Sequence, residues 1–198
     1  VIASISGGKD STIIFHLCLI VANEKNRLPL RVSFIDEESE WSYTIDQVRD
    51  IMYRKDVLPM WYQMPMKCNN AASFKNHWFY AWKDGAKWVR DKEPIAITKN
   101  DYGTDRYAEL FSAIPRKDFA NQTVAYIAGV RTEEAPARMM GLTSNVTYKW
   151  ITWGKQLNKK LGHFTFYPIY DWGYNDVWKS IHDNKWTYNK LYDLQYSS

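Results

Sequence analysis

Residues 6 to 11 read Ser-Gly-Gly-Lys-Asp-Ser and stand between a short apolar run, Val1 to Ile5, and a long one, Ser11 to Ala22. A Gly-Gly turn between a buried strand and a buried helix gathers backbone N–H groups and the positive end of the helix dipole at one spot, which suits an anion. Ser4, Ser6 and Ser11 add hydroxyl donors there and Lys9 adds charge. The spot is the carboxyl end of a strand, where open α/β sheets take ligands, although a tight connection with no ligand would read the same way. The GxxxxGK[ST] phosphate loop is not what stands here, since no glycine lies five positions before Gly8, and GxGxxG is missing too. Arg131 follows a second apolar strand, and its planar fork could grip a phosphate or sulfate bidentately. Arg138 reads equally as an anion contact and as a surface charge paired with Glu133 or Glu134. A thiol nucleophile has one candidate outside the buried helix that holds Cys18: Cys68 in Lys-Cys-Asn-Asn, with Lys67 as a neighbour able to lower its pKa. That stretch reads as a surface loop first and an active-site loop second.

The elements that would position these groups alternate. Val1 to Ile5, the turn, the helix from Ser11 to Ala22 and the strand Leu30 to Ile35 make a βαβ unit. Strands apolar on both faces imply a parallel sheet covered by helices. Trp41, Ile45, Val48 and Met52 recur at helical spacing, predicting a helix over about 39 to 54 that feeds a strand near Val57 to Gln63. Residues 67 to 92, rich in Trp, Lys and Asn, are expected to form a helix or an irregular insertion. Pro94 to Thr98 is a short apolar segment, a helix is expected at about 105 to 113, and Thr123 to Val130 is the clearest late strand. Val146 to Trp153 and Phe164 to Tyr170 are β-like, and Asn175 to Asp183 reads as a capped helix with Val177, Trp178 and Ile181 on one face. No repeat, low-complexity tract or Pro/Gly-rich linker divides the chain.

Composition narrows the class. With 198 residues, 45% apolar and 24% charged, one soluble domain with a full core is expected, without disulfide or metal staples. Two cysteines fifty positions apart suggest neither a disulfide framework nor a zinc site, and fit a reducing, cytoplasmic compartment. The sequons at Asn121 and Asn145 carry little weight without a secretory signal. A net charge of +4 is compatible with an anionic ligand and argues against a dedicated nucleic-acid binder. No apolar run is long enough for a membrane span. The unusual quantity is the aromatic content, ten Trp, fourteen Tyr and eight Phe, which can fill a core, stack on bases or line an interface. The start without Met, inside an apolar run, suggests an excerpt whose first strand is trimmed.

In its strand–turn–helix context, Ser6-Gly7-Gly8-Lys9-Asp10-Ser11 resembles the SGGxDS pyrophosphate loop of the PP-loop ATP pyrophosphatase superfamily. Phe34-Ile35-Asp36 with Glu37 to Trp41 resembles the second-strand segment of phosphoadenosine phosphosulfate (PAPS) reductases and of the small subunit of sulfate adenylyltransferase, whose backbone there holds adenine. Ile127 to Glu134 followed by Arg138 is similar to their G-x-R-x-E-x…R segment, and Pro168 to Trp172, Asn175 to Trp178 and Tyr188 to Asp193 to their C-terminal block. With its extra aromatics, the chain looks most like the divergent PAPS reductase-like branch of phages and mobile bacterial islands.

This resemblance implies a single domain over 1–198 with an α/β, Rossmann-like (adenine nucleotide alpha hydrolase-like) parallel sheet and helices on both faces. It implies ATP or PAPS/APS as substrate, with Ser4, Ser6, Gly7, Gly8, Lys9, Asp10, Ser11, Phe34, Ile35, Asp36, Gly129, Arg131 and Arg138 around the nucleotide. Lys9, Asp10 and Arg131 are its implied catalytic groups, and Asp10 lies near a Mg²⁺ held mainly by the phosphates. Asp36 also reads as a plain turn residue. Trp172, Trp178, Tyr188 and Tyr192 read as packing residues, whereas Trp78, Phe79, Tyr80, Trp82 and Trp88, within 78–88, are the expected protein-partner surface. A homo-oligomer is expected. The pattern breaks at one place: the Glu-Cys-Gly-Leu-His segment that supplies the reductases' thiol is missing, as though a tail had been cut away. The paired cysteines of iron–sulfur relatives are missing too, so neither an iron–sulfur cluster nor zinc is expected. Three functions follow: adenylyl transfer from ATP with loss of pyrophosphate, PAPS or APS reduction releasing sulfite, and a nucleotide-binding regulatory module without turnover. A role in tRNA thiolation fits less well, given the modest charge.

Overall fold

The computed structural model describes residues 1–143, 147–149, 151–158 and 161–195. In chain order the elements are β1 (Ile2–Ser4), α1 (Lys9–Glu24), β2 (Leu30–Ile35), α2 (Ser42–Met52), β3 (Val57–Tyr62), β4 (Met66–Asn69), β5 (Trp78–Ala81), α3 (Tyr107–Asp118), β6 (Val124–Ala128), a 3-10 turn at Thr132–Glu134, α4 (Pro136–Thr143), β7 (Thr147–Tyr148), β8 (Ile151–Asn158), β9 (His163–Phe166), α5 (Tyr174–Asp183) and α6 (Leu191–Gln195).

The main sheet runs β3-β2-β1-β6-β9-β8-β7. Its first five strands are parallel, and β8 and β7 close one edge antiparallel. Side chains of adjacent strand residues point to opposite faces. Ile2 accordingly packs with Leu110 and Ile114 of α3, while Ala3 packs with Phe15 of α1 and Ile45 and Val48 of α2. Both Ile2 and Ala3 are essentially inaccessible, so both faces of the sheet are covered by helices, as the unbroken apolar runs require. The chain leaves β1 toward β2 on one side, and β6 lies against β1 on the other. β1 therefore ends at a topological switch point, with the Ser6–Ser11 turn directly above it. At the β3 edge, Tyr62 pairs with Ile97 in an isolated bridge, which gives the predicted 94–98 segment its place.

The 67–92 region differs from expectation. It holds no helix; β4 and β5 pair as an antiparallel ribbon. Trp82 is fully buried, its Nε1 donating to the Asp36 carbonyl (2.8 Å), and Trp88 packs edge-to-face against it. Trp82 thus belongs to the core and not to a partner surface, and Trp88 is half-buried against it; Phe79 and Tyr80 remain exposed. Cys68 is likewise not in a surface loop but buried on β4. The reason lies far off in sequence: Glu38 accepts the backbone N–H groups of Trp82 (2.5 Å) and Val89 (2.9 Å), and Arg90 donates to Asp36 (2.5 Å). The predicted run 146–153 is two strands of a hairpin; Val146, Trp150 and the Asn145 sequon lie outside the described residues, as do Tyr196 to Ser198. α5 starts where expected, with Asp176 accepting the Gly173 N–H (2.8 Å), and Val177 and Ile181 pack on Ile13 and Ile14 of α1. Among the described residues, no helix is long and apolar enough to cross a membrane.

Candidate active site

The turn between β1 and α1 is held by its glycines and serines. Gly7 has φ +72°, and a Cβ there would meet Thr44 Cγ2 at 2.6 Å, so only glycine lets the turn lie against the start of α2. The Gly8 carbonyl accepts the Thr12 N–H (3.0 Å) and the hydroxyls of Ser11 and Thr12 (both 3.0 Å), starting α1 tightly. Ser11 Oγ accepts from the Ser6 N–H (3.1 Å) across the turn. Asn189, just before α6, donates to the Gly7 carbonyl (3.1 Å) and so brings the C-terminal block over the loop.

Lys9 and Asp10 open α1. The Asp10 carboxylate is buried and bonded on both oxygens, Oδ1 by Arg131 Nε (2.7 Å) and Oδ2 by Lys9 Nζ (3.1 Å). Arg131 is only 3% exposed and also donates from Nη1 to Glu133 (2.7 Å) and to the Trp172 carbonyl (3.1 Å). Gly129 brings the end of β6 against this turn; a Cβ on it would lie 2.7 Å from the Asp10 carbonyl carbon and 2.9 Å from the Ser11 nitrogen.

Above the turn lies a cavity of about 740 Å³. Its floor is the loop and the ends of β1 and β6, and one wall is the end of β2 with Glu40. The opposite walls come from Tyr107, Leu110 and Phe111 of α3 and from Tyr126, Thr165 and Tyr167. Ser4, Ser6, Gly8, Lys9, Asp10, Ser11, Phe34, Ile35, Gly129 and Arg138 all line it. Three anticipated residues do not. Gly7 shapes the turn from beneath, and Arg131 is turned onto Asp10 and Glu133, not toward the cavity. Asp36 is fully buried, its carboxylate taken by Glu38 N–H, Trp61 Nε1, Gln63 Nε2 and Arg90. Arg138 is ion-paired with Glu134, and both line the cavity.

Sequence reasoning missed most of the aromatic wall. Tyr107, Tyr126 and Tyr167 come from distant elements, and no local period links them, although Tyr107 and Phe111 stand at helical i,i+4 spacing with rings 5.2 Å apart. Burial first, and then the charge of Glu37 on Tyr107 and of Asp118 on Tyr126, push these phenols up, so they stay neutral. Tyr192 was expected only to pack. It does pack on Trp178, but its hydroxyl also accepts the Lys9 N–H (3.3 Å), where an anion's oxygen would sit.

Neither cysteine is poised as a nucleophile. Burial, with a smaller contribution from Glu37, pushes the Cys68 thiol up to about 12, and burial pushes Cys18 up to about 11. Lys67, the expected activator, is paired with Asp105 (2.8 Å). The residues do not form a metal cage either. Both Asp10 oxygens are held by cations, and among the described residues no three His, Cys, Asp or Glu side chains converge. A Mg²⁺ ion would have to arrive on the phosphates of a ligand.

Comparison with known proteins sets this geometry in context. The chain is 29% identical over 221 residues to the uncharacterized protein YbdN of Escherichia coli (strain K12), a match covering 100% of this chain and 51% of that protein. It is 29% identical over 94 residues to the adenosine 5'-phosphosulfate reductase of Anoxybacillus flavithermus, covering 48% of this chain and 35% of the relative. The chain thus spans about half or less of these relatives' lengths. Among solved structures, the PAPS reductase of Candida auris in a phosphate complex aligns with 98% of this chain and 77% of its own at a TM-score of 0.48 and 16% identity. The sequence pattern of the phosphoadenosine phosphosulfate reductase domain matches residues 1–198, and the chain belongs to that family.

Proposed function

We propose that the cavity binds an adenosine nucleotide with its phosphates on the Ser6–Ser11 turn, and that the chain transfers the adenylyl group of ATP to an acceptor with release of pyrophosphate. The observation that carries this reading is the junction of an amide-lined helix start, Lys9 and a roomy cavity at the carboxyl end of β1. In the reaction an acceptor oxygen forms a bond to the α-phosphorus while the bond from that phosphorus to the bridging oxygen breaks. The electron pair leaves with pyrophosphate. The loop amides and Lys9 stabilise the charge that gathers there, and no protein nucleophile is needed. Asp10, gripped by Arg131, fixes Lys9 against the turn, so Arg131 serves as a positioning residue. The test is pyrophosphate release from ATP, alone and with candidate acceptors. Sustained release that Lys9→Ala abolishes supports the reading, whereas nucleotide binding without turnover would make the chain a binding module.

A second reading, reduction of a sulfonucleotide, is favoured by the similarity to an adenosine 5'-phosphosulfate reductase. It shares the nucleotide site but needs a thiol to take the sulfonate. With Cys18 and Cys68 both buried and their thiols pushed up, that thiol would come from outside residues 1–198. Sulfite release from PAPS or APS with thioredoxin would establish it. Loss of that release in Cys68→Ser, with the fold intact, would contradict the external source.

A further inference from the structure

We infer that Glu40 makes this pocket selective for an adenosine 5'-nucleotide whose ribose carries no 3'-phosphate. The inference rests on the nucleotide reading above, with phosphates on the turn and the base against the end of β2.

Among the described residues, the charged side chains lining the cavity are Lys9, Asp10, Glu40, Glu134 and Arg138. Both cations already face a carboxylate, Lys9 that of Asp10 (3.1 Å) and Arg138 that of Glu134. Both also lie with the loop and the segment after β6, at the phosphate end. Glu40 lies five residues beyond the end of β2 and lines the cavity, as do Ser33, Phe34 and Ile35 of that strand, and a ribose between a base at that strand end and phosphates on the turn passes this side. The surroundings of Glu40 are acidic. Burial raises its pKa first, and the charges of Glu37 and Asp36 raise it further; Arg90 alone acts in the opposite sense. That arginine does not line the cavity: it donates to Asp36 (2.5 Å) with its guanidinium over the Trp82 ring (4.9 Å). Lys155 does not line the cavity either; its Nζ lies over the Tyr167 ring (5.9 Å).

A carboxylate in this position accepts hydrogen bonds from ribose hydroxyls. A site arranged to accept from a hydroxyl discriminates strongly against a ligand that lacks the donor. A 3'-phosphate in the same place would replace the donor by a dianion and meet like charge, with no lining cation beside it to offset the repulsion. ATP and APS satisfy this requirement; PAPS does not.

Calorimetric titration of the chain with 5'-AMP and with adenosine 3',5'-bisphosphate, at one ionic strength, tests the inference. AMP is expected to bind about ten-fold tighter or better. Glu40→Gln should bring the two within about three-fold, chiefly by improving the bisphosphate, and Glu40→Lys should reverse the order. Melting curves confirm that each variant is folded. A wild-type chain that binds the bisphosphate as tightly as AMP, or a ratio unmoved by Glu40→Gln, overturns the selectivity and leaves the nucleotide site standing. If neither nucleotide binds, the site reading falls and this inference with it.

Discussion

Asp10 and Asp36 are both buried aspartates that follow closely on parallel strands, and each is bonded to an arginine from a distant segment. They end in opposite roles. The Asp36 oxygens are filled by four donors, the buried Glu38 N–H, Trp61 Nε1 and Gln63 Nε2 and the half-buried Arg90. Among the described residues, the Asp10 oxygens meet Lys9 and Arg131, and both Asp10 and Lys9 border the cavity. A carboxylate saturated from inside holds a fold together, whereas one held by two cations at a cavity edge keeps its partners positioned for a ligand.

The comparison breaks if the two residues respond alike to substitution. Removing the Asp36 side chain strands Arg90 and two side-chain N–H donors in the interior, and Asp36→Ala should lose about 3–5 kcal/mol in urea denaturation. Asp10→Ala should lose less stability, because Arg131 keeps Glu133 and the Trp172 carbonyl, yet lower nucleotide affinity or turnover about 100-fold, roughly 2.7 kcal/mol. Stability losses of equal size, with nucleotide binding untouched in Asp10→Ala, would erase the distinction. Gly129→Ala sharpens it. The new Cβ would press on the Asp10 carbonyl group without touching the Asp36 network, so affinity should fall about ten-fold while melting shifts by only a few degrees.

The smallest effect separates both carboxylates from the scaffold beneath. His16, half-buried on α1 and stacked on Trp186 (4.5 Å), has its pKa lowered to about 4, by burial first and then by Arg54. The unfolded chain takes up a proton near pH 6.5 that the folded chain refuses until about pH 4, so stability is lost as pH falls through that window. The loss is about 1 kcal/mol between pH 6.5 and 5.5. His16→Leu should flatten this part of the profile relative to wild type. An unchanged profile would place the linkage elsewhere.

Much of the fold was legible because its signals are local. Val1 to Ile35 reads as strand, turn, helix and strand, since both faces of the sheet are covered and the glycines sit where the backbone must turn. The Ser6–Ser11 turn and Gly129 were legible for the same reason. The 67–92 region was not, because Trp82 is buried by acceptors at Asp36 and Glu38, some forty-odd positions away, and no periodicity within the segment reports that. The strand-end position of Arg131 suggested an anion grip, but burial and Asp10 turn its fork inward. Tyr107, Tyr126 and Tyr167 become one wall only once the sheet order is known.

The most direct test of the central claim is a crystal structure of the chain with ATP bound. The account predicts phosphate oxygens within hydrogen-bond distance of the backbone N–H groups of residues 6–11 and of Lys9 Nζ, with the Tyr192 hydroxyl displaced from the Lys9 N–H. Phosphates lodged anywhere else, with that turn and Tyr192 unchanged, would contradict it.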